Sequence, residues 1–178
     1  MMKISKLLCK SFALLSLLLI ACSNTDDIQQ KVTEIDASQL KVRDPFIFYD
    51  ADTDYYYLHV NGTLKVKSYK SKDLLTWQEN GYSFLPSAGF WGKEDFWAPD
   101  FYKYEDKYYL FITLSAPGVK RGTSVLVSDR VTGTFQPLVN NAVTPQEWTC
   151  LDGSLYVDSE VTPWIFYCRE WVEVGDGE

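Results

Sequence analysis

The amino-acid sequence predicts an all-β protein of the β-propeller class, because one strand pattern occurs three times and no segment after residue 21 has the pattern of a long helix. The first copy is Arg43-Asp-Pro-Phe-Ile-Phe-Tyr, and looser copies begin at Trp97-Ala-Pro-Asp and Leu151-Asp-Gly-Ser. Each copy places an Asp before a short strand, which a polar turn joins to a strongly apolar returning strand. A period of roughly 50 residues with several strands per repeat is typical of propeller blades.

The first predicted blade has its inner strand at residues 46–49 and its returning strand at 55–60. A third strand at 64–69 alternates apolar and polar residues, which is typical of a half-exposed strand. The segment Ser71-Lys-Asp-Leu-Leu-Thr-Trp then leads to the outer edge of the blade.

The second predicted blade repeats this plan with strands at residues 100–104, 108–114 and 123–128. Its outer segment, residues 128–135, matches the outer segment of the first blade. Since the outer segments repeat independently of the Asp-led segments, the two matches together favour a true structural repeat.

Residues 83–94 lie between these blades, are rich in Gly, Pro and aromatic residues, and have no strand pattern. Long loops in compact domains are often functional, so Trp91 is a candidate for contact with a ligand. The third blade begins at Leu151. The sequence therefore predicts about two and a half to three blades, fewer than the four or more that close a propeller.

The composition excludes some classes of partner. The chain carries 24 acidic and 17 basic side chains, with a net charge of −7. Nucleic acids and anionic membrane surfaces both favour clustered Lys and Arg, so we expect no nucleic-acid partner. Aromatic residues make up 16% of the chain, which suits either packing within β-sheets or the stacking of sugars on flat apolar rings.

The N-terminal residues 1–21 are predicted to be a signal peptide, because three Lys precede an apolar run, residues 12–20, that is too short to span a membrane. The run ends in Leu19-Ile-Ala-Cys, which resembles a bacterial lipoprotein signal with Cys22 as the lipidated residue. The alternative is an ordinary signal peptide. We expect an exported protein held at the outer membrane of the cell envelope by its lipid, with a flexible tether at 22–40 and a partial propeller at 41–178.

The remaining cysteines and the single histidine predict neither a metal site nor a cofactor. Cys150 and Cys168 lie near the same end of two neighbouring predicted strands, but simple hairpin registers offset them, which disfavours a disulfide. His59 cannot form a zinc site by itself.

The leading acids Asp44, Asp100 and Asp152 are predicted to converge. The inner strands of propeller blades line one central channel, so an acid at the mouth of each strand faces a shared cavity. The returning strands would bring His59 and Glu170 to the same rim. Converging carboxyl groups suit glycoside hydrolysis, in which one activates water and another protonates the leaving oxygen. The alternative is that each Asp only caps a turn.

The segments at Arg43, Ser71, Trp97 and Leu151, in this order and at blade spacing, resemble glycoside hydrolase family 43 over residues 42–178. The resemblance implies a five-bladed propeller that inverts the anomeric centre and cleaves arabinofuranosides or xylosides.

Site roles follow from the same resemblance. It implies that Asp44 is the general base and that Asp152 tunes and orients the general acid. It also implies that Trp97 and Asp100 shape the sugar pocket.

The general acid of that family is usually a Glu in a Glu-Gly-Pro step that opens the fourth blade, and this sequence contains no such step. Either that residue lies beyond Glu178 or Glu170 takes its place. In the first case Glu170 is a pocket residue, or only the partner of a nearby basic side chain. Trp171, next to it, is a further candidate for contact with sugar.

Two functions are consistent with these residues. One is an exported, lipid-anchored glycoside hydrolase acting on plant cell-wall polysaccharide, favoured by the pair Asp44 and Asp152. The other is a non-catalytic carbohydrate-binding propeller lipoprotein, favoured by the missing Glu-Gly-Pro step. Because blades bury their apolar faces against neighbouring blades, we expect the 178-residue chain to be an inactive fragment that is poorly soluble or oligomeric.

Overall fold

The structure is a computed structural model that describes residues 33–174. The predicted signal peptide, Cys22 and the tether residues up to 32 lie outside the described residues. The described part consists of eleven strands and two short 3₁₀ helices, Ala37–Gln39 and Trp171–Glu173. Within it, no helix has the length and apolar character that crossing a membrane requires. The all-β prediction is confirmed.

The first blade is a five-stranded antiparallel sheet whose strands lie in the order β1-β5-β4-β3-β2. The predicted strands of this blade are present, and most extend further than the sequence pattern indicated. The bounds are β1 Glu34–Asp36, β2 Phe46–Asp50, β3 Tyr55–Gly62, β4 Lys65–Ser71 and β5 Thr76–Phe84.

The second blade is a four-stranded sheet in sequential order, and the third blade is represented by one antiparallel pair. The strands of blade two are β6 Glu94–Tyr104, β7 Lys107–Ala116, β8 Val119–Ser128 and β9 Gln136–Pro137. The strands of blade three are β10 Cys150–Val157 and β11 Pro163–Arg169. Cys150 pairs with Arg169, and Leu151 pairs with Cys168, so the two cysteines are offset by one position. Both are free thiols.

Strand β1 lies within the segment that the sequence predicted to be a flexible tether. It lies on the outer edge of blade one, where Ile35 pairs with Trp77. Leu40 and Val42 follow it and pack with Ile35 on a buried cluster formed by Leu58, Val60, Tyr69 and Trp77. The prediction of a flexible segment over residues 22–40 is therefore wrong for residues 34–40. A few apolar side chains within a mostly polar segment suffice, because that face of the blade offers apolar surface to cover.

Blades one and two meet through an aromatic core that aligns their inner strands. The rings of Phe48 and Phe101 lie 5.0 Å apart. Asp50 is only 1% exposed, and its Oδ1 accepts a hydrogen bond of 2.8 Å from the Tyr108 hydroxyl of the neighbouring blade. A buried carboxylate is stable only when it has such partners, so this bond contributes to the relative position of β2 and β7.

Candidate active site

The mouths of the three inner strands form one pocket of about 490 Å³. Each of the three blades contributes to its lining. The lining residues are Arg43, Asp44, Pro45, Trp97, Ala98, Asp100, Leu151, Asp152 and Glu170. The three acids that the sequence predicts to converge, Asp44, Asp100 and Asp152, therefore line one pocket. Trp97 and Glu170 line the same pocket.

Irregular backbone turns the acidic side chains into the pocket. Asp44 and Asp152 have φ angles of 48° and 52°, in the left-handed region, which Asp tolerates better than most residues. Asp152 falls where the pairing of β10 with β11 shifts between Leu151 and Ser154. Asp100 follows a similar shift in β6 after Trp97. Such bulges bend a strand and redirect its side chains, often beside active sites.

Asp152 is supported from blade two. Its backbone N–H donates to Oγ1 of Thr113, a residue 1% exposed, over 3.0 Å. The next residue, Gly153, is buried against Thr123 so closely that a Cβ at Gly153 would lie 2.4 Å from Thr123 Oγ1. The inner strand of blade three can therefore reach this position only with glycine after the aspartate.

The pocket acids are coupled electrostatically through Asp152. Partial burial raises the pKa of Asp100. The hydrogen bond of 3.0 Å from the Tyr102 hydroxyl lowers this pKa, whereas the charge of Asp152 raises it further. Partial burial also raises the pKa of Asp152, with a further contribution from Asp44. Like charges that raise each other's pKa allow one carboxyl to keep a proton while another is ionised, as acid–base catalysis requires.

Glu170 faces an arginine that the sequence did not identify. Arg121 Nη1 lies 3.1 Å from Glu170 Oε2 and 3.5 Å from Oε1, while Arg121 Nε donates to Asp95 over 2.9 Å. The guanidinium of Arg121 lies 4.5 Å from the centre of the Trp97 ring. In the sequence, Arg121 stands beside Lys120 at the start of a strand and reads as an ordinary surface charge.

A second arginine lies at the pocket mouth. Arg43 Nε is 3.2 Å from Asp44 Oδ2, and the Arg43 guanidinium is 5.8 Å from the Trp97 ring centre. The Asp44 side chain nevertheless remains 46% exposed, so water reaches the carboxylate.

Three residues that the sequence proposed for sugar contact do not line this pocket. His59 is fully buried, stacks on the Phe101 ring at 4.2 Å and bonds to Ser83 Oγ over 2.8 Å. The expectation that it reaches the rim is wrong, because blade one buries β3 from Tyr57 to Val60 on both faces. Burial also lowers the pKa of His59 to about 3.

The other two residues are tryptophans. Trp91 packs against the hydrophobic core, and its indole N–H donates to Ser124 Oγ over 2.8 Å. The loop before β6 therefore has a structural role at this residue. Trp171 is 80% exposed, outside the pocket lining. Within residues 33–174, no cluster of three or more His, Cys, Asp or Glu side chains is arranged to hold a metal ion.

Comparison with known proteins places this geometry in a family. The model of glycosyl hydrolases family 43 matches residues 37–178. The extracellular exo-alpha-(1->5)-L-arabinofuranosidase ArbA of Cellvibrio japonicus is 24% identical over 151 residues, which cover 76% of this chain and 42% of that protein.

Solved protein structures are also similar to this chain. The endo-arabinase of Bacteroides thetaiotaomicron is 60% identical with a TM-score of 0.76, over 78% of this chain and 49% of that one. An endo-1,4-beta-xylanase of the same organism is 26% identical with a TM-score of 0.62, over 78% of this chain and 45% of that one. The chain spans about half the length of these relatives.

Proposed function

Because this chain belongs to glycosyl hydrolases family 43, we propose that its pocket is part of the active site of a glycoside hydrolase that acts on arabinan-type or xylan-type polysaccharide. The observation that carries the proposal is the convergence of Asp44, Asp100 and Asp152, one from each blade, on one pocket. A site built only to bind sugar has no need of coupled carboxyl groups, whereas hydrolysis of a glycosidic bond needs them.

Asp44 is the general base of this proposal. Its carboxylate accepts a proton from water, and the resulting hydroxide adds to the anomeric carbon on the face opposite to the leaving oxygen. The bond between the anomeric carbon and the leaving oxygen breaks as that oxygen takes a proton from a carboxylic acid. Because the attack comes from the opposite face, the configuration at the anomeric carbon is inverted. The exposure of Asp44 to solvent supports this role, since the base must hold a water molecule.

Asp152 has the tuning role. Burial raises the pKa of the neighbouring Asp100, and the charge of Asp152 adds to that rise. A tuning carboxylate exerts the same effect on a group that must keep a proton. Asp100 and Trp97 form the wall against which the sugar is bound, and Glu170 is assigned to the same wall. Both carboxylate oxygens of Glu170 face Arg121, so neither oxygen is positioned to donate a proton to a leaving group.

Arabinan is the preferred substrate in this proposal, because the Bacteroides thetaiotaomicron protein that is 60% identical is an endo-arabinase. The Cellvibrio japonicus relative is extracellular. We propose that this protein is likewise exported and that a lipid at Cys22 holds it to the cell envelope.

The test uses the full-length gene product with linear arabinan and xylan as substrates, and with product release and the anomeric configuration followed by NMR. Asp44→Asn should lower kcat about 10²–10⁴-fold while sugar affinity stays nearly unchanged, because general-base assistance is lost. The matched control is Asp129→Asn, since Asp129 is an 84% exposed partner of Lys107 away from the pocket.

The outcomes separate enzyme from binding protein. Hydrolysis with inversion that is lost in Asp44→Asn supports the enzyme. Turnover by Asp44→Asn within a few-fold of the parent would exclude Asp44 as the base. Tight binding of arabino-oligosaccharides without hydrolysis by the parent would replace the enzyme with a carbohydrate-binding protein.

A further inference from the structure

Arg121 makes three contacts at once with residues of the pocket region. Its Nε donates to Asp95 Oδ2 over 2.9 Å, its Nη1 lies 3.1 Å from Glu170 Oε2, and its guanidinium lies 4.5 Å from the Trp97 ring centre. The side chains are largely shielded, with exposures of 31% for Arg121, 14% for Asp95 and 22% for Glu170. Charge-assisted bonds are stronger under such shielding than at an open surface.

The backbone around Trp97 is irregular, so it does not fix the indole by strand pairing alone. The pairing of β6 with β7 shifts between Asp95 and Trp97 and again between Trp97 and Asp100. Asp95, Phe96 and Ala98 all have positive φ angles, between 43° and 73°. Positive φ at residues other than glycine costs free energy and persists only where surrounding contacts enforce it.

Arg121 supplies contacts of that kind. The same oxygen of Asp95, Oδ2, also accepts a hydrogen bond of 2.6 Å from the Ser115 hydroxyl. Arg121 therefore joins a fixed carboxylate of blade two to Trp97 in the same blade and to Glu170 at the end of blade three. The backbone of Glu170 is held as well, since its N–H donates to Thr149 O over 2.8 Å and its carbonyl oxygen accepts from Glu173 N–H over 3.0 Å.

A planar guanidinium is suited to this task in a way that an ammonium is not. It presents donors in a rigid fork to two carboxylates while its face stacks on an indole. A lysine at position 121 retains the positive charge but has no planar face and no fixed second donor.

We propose that Arg121 is a positioning residue that holds Trp97 and Glu170 together as one wall of the sugar pocket. The expected effect of Arg121 on sugar binding rests on the proposed function, whereas its expected effect on the position of Trp97 does not. Arg121 acts through Trp97, so its loss weakens the binding of sugar more than the chemical step, which depends on Asp44 and Asp152.

The structural test is NMR of the full-length protein with ¹⁵N-labelled tryptophan, in which each tryptophan side chain gives one indole N–H signal. The Trp97 signal is assigned with Trp97→Phe. Arg121→Lys should move or broaden that signal, while the exposed control Arg130→Lys should leave it unchanged. Glu170→Gln perturbs the network from its other end and should affect the same signal.

These outcomes are independent of activity. An unchanged Trp97 signal in both Arg121→Lys and Glu170→Gln would overturn the proposal, even if the enzyme hydrolyses arabinan as proposed. Should Arg121→Lys fail to fold, Glu170→Gln still decides the question, because Glu170 reaches Trp97 through Arg121.

The kinetic test follows the same variants. Arg121→Lys should raise KM for arabino-oligosaccharides about 10-fold with kcat within about 3-fold, as loss of uniform binding requires. In a Trp97→Phe background, Arg121→Lys should have a much smaller effect, because coupled residues are non-additive. Equal effects in both backgrounds would refute action through Trp97. A parent that neither binds nor cleaves arabinan or xylan would refute the proposed function, while the NMR result would still test the role of Arg121.

Discussion

Gly153→Ala should show how tightly the position of Asp152 depends on the contact between blades two and three. A Cβ at Gly153 would lie 2.4 Å from Oγ1, 2.5 Å from Cγ2 and 2.8 Å from Cβ of Thr123. Thr123 is fully buried in β8, so its side chain has no free space to enter. The added methyl group must therefore displace β10 from β8.

The magnitude follows from the cost of overpacking. Forcing a methyl group into a packed core costs about 1–3 kcal/mol, which corresponds to about 2–12 °C in Tm for a domain of this size. Asp152 is adjacent in the chain, and a misplacement of roughly 1 Å at a catalytic group can lower the rate about 10²-fold. We therefore expect the variant to lose more activity than its stability loss alone explains.

The assays are thermal unfolding and the initial rate of arabinan hydrolysis by the full-length protein at a temperature where every variant is folded. Gly89→Ala is the matched control, since a Cβ there meets no atom within 4 Å. Gly153→Ala that matches Gly89→Ala in both Tm and rate would refute the reasoning.

A double variant sharpens the test. Thr123 Oγ1 has no hydrogen-bond partner among the described residues, so Thr123→Ala removes the two closest clashing atoms without breaking a described bond. Gly153→Ala combined with Thr123→Ala should be more stable than the sum of the single changes predicts. Strict additivity would show that the destabilisation arises elsewhere.

Two further predictions concern pH and localisation. Burial lowers the pKa of His59 from 6.5 to about 3, so between these values the unfolded chain binds a proton that the folded chain excludes. The free energy of unfolding should be highest above about pH 6.5 and fall by up to about 1.4 kcal/mol per pH unit below it. Urea unfolding of His59→Gln should lack this slope. Equal slopes for the parent and the variant would show that His59 is not the cause. Cys22→Ala should move the protein from the membrane fraction to the soluble fraction, as measured by immunoblotting, and unchanged membrane retention would contradict a lipid anchor.

The sequence alone predicted the inner, returning and third strands of blades one and two, and it identified Asp44, Asp100 and Asp152 as acids of the pocket. Strands are recognisable because alternation and turn residues are local properties of the chain. Asp44, Asp100 and Asp152 were identifiable because a repeat at blade spacing places equivalent residues at equivalent strand ends. Their convergence follows from the topology of a propeller, so it required no knowledge of individual side-chain contacts.

Tertiary structure alone decided the rest. His59 has the polar character of a rim residue, yet neighbouring strands and Phe101 bury it completely. Ile35 lies in a polar segment, yet it pairs with Trp77 on the outer edge of the blade. Arg121 contacts Glu170, 49 residues away in the chain, and no local pattern encodes such a pair. Burial and ion pairing depend on which blades meet, and that is set by long-range packing rather than by the order of neighbouring residues.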